Sequence, residues 1–324
     1  MSKTTVKKHI AILIPAYNEE EVFPALKKRL IKLRQNMPNY QLEFLFVNDG
    51  SRDLTMELVK KWALIDDSVS YVSLSRNFGK EIAMIAGFDH AITADATIII
   101  DADLQDPPEL IPEMVALWED GYDDVYARRT SRKGETWLKR STSKLFYKLL
   151  QNTTNIPIQR DTGDFRLLSQ RCVESLTLIR EQQRYTKGLF SWVGYRKKEL
   201  LYERAARVAG TSKWNYFRLI DLAIEGITSF TTVPLRIASL FGILTSFASA
   251  IYIIFIIIRT IIFGSDLAGY PSMMAVILFL GGVQLLSIGV IGEYIGRIFN
   301  ETKQRPLYFT DEVHRGKDSE KSAS

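Results

Sequence analysis

Ala96-Thr-Ile-Ile-Ile-Asp-Ala-Asp-Leu-Gln-Asp-Pro-Pro-Glu109 decides how this chain folds. Its first five residues form a short β-branched run, the pattern of a buried strand. Asp101 and Asp103 follow one residue apart, just past the strand end, so both carboxylates can reach one point in space. With Gln105 as a third oxygen donor they suit Mg²⁺ or Mn²⁺, which accept a few protein oxygens and complete their shell with water and phosphate. An acidic turn is the plainer alternative. Pro107-Pro108 ends the strand and opens a helix at Glu109.

Working outward, the same punctuation recurs. Ile10-Ala-Ile-Leu-Ile14 is a strand ending at Pro15-Ala-Tyr-Asn-Glu-Glu20, with Asn18 placed to cap the next helix. Leu42-Glu-Phe-Leu-Phe-Val47 ends at Asn48-Asp49-Gly50-Ser51, before a helix over about 53–65. Val69-Ser-Tyr-Val-Ser-Leu74 ends at Arg76-Asn-Phe-Gly-Lys80, before a helix reaching about Ala94. Asp124-Val-Tyr-Ala127 is a fifth strand. Strands alternating with helices of 10–15 residues predict an α/β fold, a mostly parallel Rossmann-like sheet with helices on both faces. Ligands of such sheets bind beyond the carboxyl ends of the strands. Tyr17, Asp49, Lys80 and Asp101 all lie there, so one crevice collects them. Asp49 can hold a ribose hydroxyl or a base edge, or simply form an Asx turn. No G-x-G-x-x-G follows the first strand and no G-x-x-x-x-G-K-[ST] occurs, which argues against a dinucleotide fold and a P-loop NTPase.

The 324 residues are 46% hydrophobic, yet mean hydropathy is near zero, because the chain is split. Residues 1–232 read as a cytoplasmic globular domain with interfacial helices. Residues 233–299 read as a two-helix membrane anchor: 237–258 and 270–292 are uncharged runs long enough for a hydrocarbon core of ~30 Å. Residues 300–324 form a polar tail, expected to be disordered past Tyr308. The loop between the spans carries one Arg and one Asp, whereas Arg236, Arg297, Lys303 and Arg305 flank the outer ends. The positive-inside rule therefore puts both termini in the cytoplasm of a multi-pass inner-membrane protein. Met1 to His9 shows no apolar signal region, in keeping with a catalytic part that stays inside. Glu293 and Arg297 are spaced for an i, i+4 ion pair. The single cysteine, Cys172, excludes an internal disulfide and reads as a core residue.

Net charge is +5, and the excess is local. Residues 128–148 hold eight Lys/Arg against one Glu, and 180–218 hold ten against three Glu. Arg140, Lys144 and Lys148 form one stripe on a helix expected over Trp137 to Leu150, either a solvated face or a surface at lipid headgroups.

Ile14-Pro-Ala-Tyr-Asn-Glu-Glu20, Val47-Asn-Asp-Gly-Ser-Arg-Asp53 and Asp101-Ala-Asp-Leu-Gln-Asp106, in this order, resemble the inverting family 2 glycosyltransferases of the GT-A fold. Within them the chain is similar to polyprenyl-phosphate hexosyltransferases, the dolichyl-phosphate mannose synthase group, and most of all to phage-type bactoprenol (undecaprenyl-phosphate) glucosyltransferases. Arg76-Asn-Phe-Gly-Lys80, Gly163-Asp-Phe-Arg-Leu167, Lys187-Gly-Leu-Phe-Ser-Trp-Val-Gly194, Glu225-Gly-Ile-Thr-Ser-Phe230, Pro234-Leu-Arg236 and Gly292-Glu-Tyr-Ile-Gly-Arg297 carry that likeness, over about residues 9–308. The resemblance implies transfer of a hexose, glucose first, from a UDP-sugar to undecaprenyl phosphate on the cytoplasmic membrane face, for cell-envelope glycosylation. It implies a uridine site at Pro15, Tyr17, Glu19 and Asp49, with Lys80, Asp101, Ala102 and Lys213 beside the donor, and a metal on Asp101, Asp103 and Gln105. It assigns catalytic roles to Asp103, Asp164 and Arg207, and the lipid phosphate to Arg129, Arg140, Lys144 and Arg166. Arg204, Arg207, Gly210 and Ser212-Lys213-Trp214 resemble the loop that closes on the diphosphate, though a basic juxtamembrane loop would read the same. Partners are then the bilayer, further copies of the chain, and a flippase and membrane glycosyltransferase downstream; nucleic acid is not among them. Where processive synthases carry Gln-x-x-Arg-Trp, this chain has Glu181 and Arg184-Tyr185, a broken polymerising signature. UDP-GlcNAc or GDP-mannose as donor, a growing glycan as acceptor, and a non-catalytic scaffold that binds nucleotide sugars or lipid are the rival readings.

Overall fold

The computed structural model describes residues 7–130, 162–182, 184–202, 233–263 and 269–316. Its centre is an eight-stranded sheet in the order β7-β5-β6-β4-β1-β2-β3-β8. The strands are β1 His9–Ala16, β2 Gln41–Asn48, β3 Val69–Leu74, β4 Ala96–Ile99, β5 Asp124–Arg129, β6 Thr162–Ser169, β7 Lys197–Tyr202 and β8 Thr310–His314. β3, β2, β1 and β4 run parallel, as the strand–helix alternation predicts. Their helices are α1 Phe23–Asn36, α2 Thr55–Ala63, α3 Lys80–Ala91 and α4 Ile111–Glu119, the last preceded by a 3₁₀ turn at Pro108–Leu110. α5 Gln170–Leu178 and α6 Thr186–Trp192 follow β6.

The sheet departs from simple alternation beyond β4. β5 does not pair with β4; β6 lies between them, antiparallel to both, and β7 pairs parallel with β5 on the outer side. Both faces are covered. Ile10, Ile12, Ile14, Phe44 and Phe46 point to one core with Leu26, Leu30 and Trp62, while Leu13, Leu45, Val47 and Val72 face Met84, Ile85, Phe88 and Cys172 on the other. This is the period-two alternation of strands buried on both faces. Cys172 is buried in the second core, and burial pushes its thiol up to about 12, so it is a packing residue.

Two long helices follow, α7 Val233–Phe263 and α8 Tyr270–Thr302. They contain the expected spans at 237–258 and 270–292 and run beyond them. Both are long and apolar enough to cross a membrane. Arg297 Nε donates to Glu293 Oε1 at 3.1 Å, the expected pair one turn apart. The expectation of a disordered tail is corrected for residues 309–316; 317–324 lie outside the described residues. Past Tyr308 the chain forms β8, which pairs antiparallel with β3 through Tyr71↔His314, Val72↔Val313, Ser73↔Glu312 and Leu74↔Thr310. Backbone pairing with an otherwise open edge orders a segment whose composition is polar.

Candidate active site

The β1–β4 register builds the site. Ala16 pairs with Asn48, and Leu13 pairs with Ile99, so two residues further on Pro15 stands level with Asp101. Four loops therefore leave the sheet at one edge, and they are sewn together. Asn18 N–H donates to Ser51 Oγ and Asn18 Oδ1 accepts from Arg52 N–H; Glu19 N–H reaches Thr55 Oγ1; Leu54 N–H reaches Glu20 Oε2. Asn18 does not cap α1, whose N-cap is Val22. Its side chain is spent on the neighbouring loop instead, and its φ of 56° is one that asparagine tolerates.

Asp49 organises the third loop. Its Oδ1 accepts from Phe78 N–H at 2.7 Å and its Oδ2 from Gly79 N–H at 3.0 Å. Burial pushes its carboxyl above the usual range although those bonds pull the other way. Gly50 lets this happen. It sits at φ +68°, and a Cβ there would lie 2.5 Å from the Arg76 carbonyl carbon, so only glycine allows the two loops to touch.

Between these loops lies a cavity of about 900 Å³. Pro15, Tyr17, Glu19, Asp49, Lys80, Asp101, Ala102 and Asp103 all line it, so eight residues singled out in the sequence share one wall. Arg52, Asp53, Asn77 and Gly79 line it too and were not singled out as donor contacts. Their signal was available: each lies within a few residues of a strand end in the same loops.

The carboxylate turn has its own strain. Leu104 takes φ +60°, which costs a bulky L-residue of order 1 kcal/mol. Asp103 Oδ1 accepts from Gln105 N–H across this turn, at 3.1 Å. Gln105, the third oxygen donor expected from the sequence, is buried and is not part of the cavity wall, which Asp101 and Asp103 line. Asp106 is buried behind them and accepts from Tyr202 OH of β7 at 3.1 Å. Burial and the charges of Asp101 and Asp103 push its carboxyl up to about 6. Such crowding of negative charge is what a divalent cation relieves. Among the described residues no three His, Cys, Asp or Glu form a closed metal cage. Two hard carboxylates with open positions fit Mg²⁺ or Mn²⁺ that draws its other oxygens from a diphosphate and water.

Lys80, at the start of α3, joins this turn to β6. Its Nζ lies 2.5 Å from Asp101 Oδ1 and 2.6 Å from Asp164 Oδ2. Burial opposes the Lys80 charge, yet the two carboxylates outweigh it and raise its pKa. Burial likewise pushes Asp164 up, but Lys80 and Lys187 hold its carboxyl down at about 2. Asp164 Oδ1 is buried without a hydrogen-bond partner.

Arg166, expected at the lipid phosphate, sits inside the domain. It is fully buried, its Nη1 3.1 Å from Asp124 Oδ2 and its guanidinium 3.7 Å from the Phe190 ring. Arg129, at the end of β5, is half-buried, with Nε 3.4 Å from Tyr202 OH. Arg184 is buried, donating to the Ile179 carbonyl at 2.5 Å. Arg140, Lys144, Arg207 and Lys213, with the Trp137 helix and the loop around Gly210, lie outside the described residues.

The model of Glycosyl transferase family 2 matches residues 11–177, and that of the GtrB C-terminal hairpin matches residues 233–298. The chain is 47% identical over 304 residues to an "Uncharacterized glycosyltransferase sll0501" of Synechocystis, covering 94% of this chain and 95% of that protein. It is 46% identical over 307 residues to the "SfII prophage-derived bactoprenol glucosyl transferase" of Shigella flexneri, covering 95% and 99%. Among solved structures, the mannosyltransferase PcManGT of Pyrobaculum calidifontis, in complex with GDP-Man and Mn²⁺, is 19% identical with a TM-score of 0.44, covering 66% of this chain and 60% of that one.

Proposed function

The chain belongs to glycosyl transferase family 2, and from that premise we propose that it moves a hexose, glucose first, from a UDP-sugar to undecaprenyl phosphate at the cytoplasmic face of a membrane. The reading rests on one observation above all. The donor residues converge on one cavity, with Asp101 and Asp103 in its wall, in a chain that also carries two helices long and apolar enough to reach a membrane-bound acceptor.

The uridine would lie against Pro15, Tyr17, Glu19 and the Asp49 loop, with the diphosphate towards Asp101, Asp103 and Lys80. A divalent ion held by Asp101 and Asp103 would supply charge neutralisation for the diphosphate. An oxygen of the lipid phosphate attacks the anomeric carbon. The bond from that carbon to the diphosphate oxygen breaks on the opposite face, UDP leaves, and the configuration inverts. No base is needed, because a phosphate monoester has a second pKa of about 6 and is its own nucleophile at neutral pH. Asp164 fits this division of labour: a carboxylate held ionised by Lys80 and Lys187 is a poor proton acceptor and a good positioning group. Arg129 stays as an acceptor-phosphate candidate, together with Arg140 and Lys144. Further copies of the chain and a downstream flippase belong to the same reading.

The test is incubation of membranes with a panel of labelled UDP-glucose, UDP-GlcNAc and GDP-mannose plus undecaprenyl phosphate, followed by lipid extraction. Chloroform-soluble label from UDP-glucose is the expected result. Label from another donor reassigns the sugar. Donor binding with no transfer and no release of UDP or GDP from any of them makes the chain a scaffold.

A further inference from the structure

Residues 299–316 lie beyond the parts of the chain matched by both family models, yet they are ordered against the catalytic sheet. α8 ends at Thr302, and seven residues later the Phe309 carbonyl accepts the Ser75 N–H at 2.9 Å. Ser75 immediately precedes the Arg76–Lys80 loop of the donor cavity. The rest of the segment grips the frame of that loop. Tyr71 OH donates to Glu312 Oε1 at 2.7 Å, Lys60 of α2 pairs with Glu312, and the His314 ring stacks on Tyr71 at 5.2 Å. Tyr308 OH donates to Asp89 Oδ2 of α3 at 2.7 Å. Leu307 and Tyr308 pack on the same core cluster as Phe78. At the far end Gly316 N–H donates to Ser70 Oγ at 3.0 Å, and a Cβ on Gly316 would meet the Asp67 carbonyl oxygen at 2.0 Å.

We propose that residues 303–316 are a positioning strap: they tie the end of the second long helix to the Arg76–Lys80 loop and hold that loop in its donor-binding form. The loop needs such a hold. Asp49 fixes its Phe78 and Gly79 amides from one side, and Asn77 Nδ2 donates to the Asp49 carbonyl at 3.2 Å. On the other side, without β8, β3 would be an open edge and Ser75 would lose its acceptor. The strap thus makes donor binding depend on a segment that the chain reaches only after both long helices. The identity of the ligand rests on the function proposed above; the hold on the loop does not.

The experiment uses the full membrane protein and a variant ending after residue 305, which keeps both long helices. Backbone hydrogen exchange over residues 75–80 reads the strap directly, and UDP is the probe of the cavity. In the truncated protein the Ser75, Phe78 and Gly79 amides should exchange about tenfold faster or more. UDP should bind about tenfold more weakly, with the acceptor KM unchanged. A synthetic peptide of residues 306–316 added in trans should reverse both effects by strand addition. Gly316→Val, which crowds the Asp67 backbone at full length, should act in the same direction. Unchanged exchange over 75–80 overturns the strap, whatever UDP does. Exchange raised equally in β1 and β2, with no rescue by peptide, also overturns it, since the segment is then only a part of the fold. If exchange rises as expected but the intact protein binds no UDP, the strap stands and the donor assignment falls.

Discussion

The donor edge of the sheet and the α7–α8 hairpin hold themselves together in opposite ways. At the donor edge apolar side chains are inside, and the loops above them are joined by side-chain hydrogen bonds across long chain separations, 33 residues for Asn18 N–H to Ser51 and 29 for Phe78 N–H to Asp49. In the hairpin the apolar side chains are outside: Phe247, Ile251 and Phe255 on α7 and Leu285, Leu286 and Ile288 on α8 are exposed. Hydroxyls there turn back on their own helix: Thr245 donates to the Phe241 carbonyl and Ser287 to the Val283 carbonyl. A helix in hydrocarbon has to satisfy its polar groups internally. The first region is stable because of what it buries; the second exposes its apolar side chains on helices long and apolar enough to cross a membrane. One substitution can therefore have opposite consequences in the two places.

The largest expected effect is at the donor edge. Asp103→Asn keeps the volume and removes an anionic oxygen that a hard cation prefers. Turnover should fall by about 10³-fold, the upper end for loss of one preorganised charge-stabilising group. Circular dichroism and thermal unfolding should stay as in the native chain. Full turnover at low metal concentration would remove Asp103 from the metal site.

Next comes a matched pair that tests the contrast itself. Leu64, just past α2, and Leu286, on α8, are both largely exposed. If α8 crosses a membrane, Leu286→Arg places a charge in hydrocarbon and should cost about 2.5–3.5 kcal/mol at mid-span, read as a lower carbonate-resistant membrane fraction. Leu64→Arg faces water and should stay within about 0.5 kcal/mol in thermal unfolding. Equal partitioning of the Leu286 variant and the native chain would mean that this face of α8 does not meet lipid.

Legibility in the sequence follows the same division. The parallel strands were readable because β-branched runs ended at polar loops, and the rule that ligands sit beyond strand ends then gathered Tyr17, Asp49, Lys80 and Asp101 into one crevice. The hairpin was readable because uncharged runs have few other uses. What escaped was pairing that is not local. Thr162–Ser169 carries a charged motif, Gly163-Asp-Phe-Arg-Leu167, that drew attention to chemistry and away from a strand. Nothing near Arg166 in sequence points to its partner Asp124, 42 residues earlier. β8, Thr-Asp-Glu-Val-His, has almost no apolar signal, because main-chain pairing with β3 and not burial makes it a strand.

A smaller effect separates positioning from proton transfer. Asp164→Asn should lower turnover about tenfold, about 1.4 kcal/mol, the scale of one hydrogen bond and below the ~10²-fold floor for losing a general base. The acidic limb of the rate profile near pH 6 should persist, because that ionisation belongs to the lipid phosphate. A limb that disappears in the variant would make Asp164 the titrating base.

The smallest effect probes the buried side of the contrast far from the chemistry. Asp66 joins three elements of the parallel half. It accepts from Arg34 Nη1 of α1 at 2.7 Å, Trp62 Nε1 of α2 at 3.1 Å and Ser68 Oγ at 2.7 Å. Burial would raise its carboxyl, but the Arg34 and Ser68 hydrogen bonds and the Arg34 charge win and hold it at about 2, below its ordinary 3.8. A carboxyl depressed in the folded state adds stability that is fully present above 3.8 and is lost as pH falls through about 2. Because Arg34 is more than a third exposed, screening discounts the gain, and Asp66→Asn should cost only about 1 kcal/mol at neutral pH. The gap between variant and native chain should close as the pH is lowered across that window. It should also be the same in detergent and in lipid, since the contact is internal to the catalytic half. A gap that depends on the bilayer would show that the two regions share their stability, and the contrast drawn between them would fail.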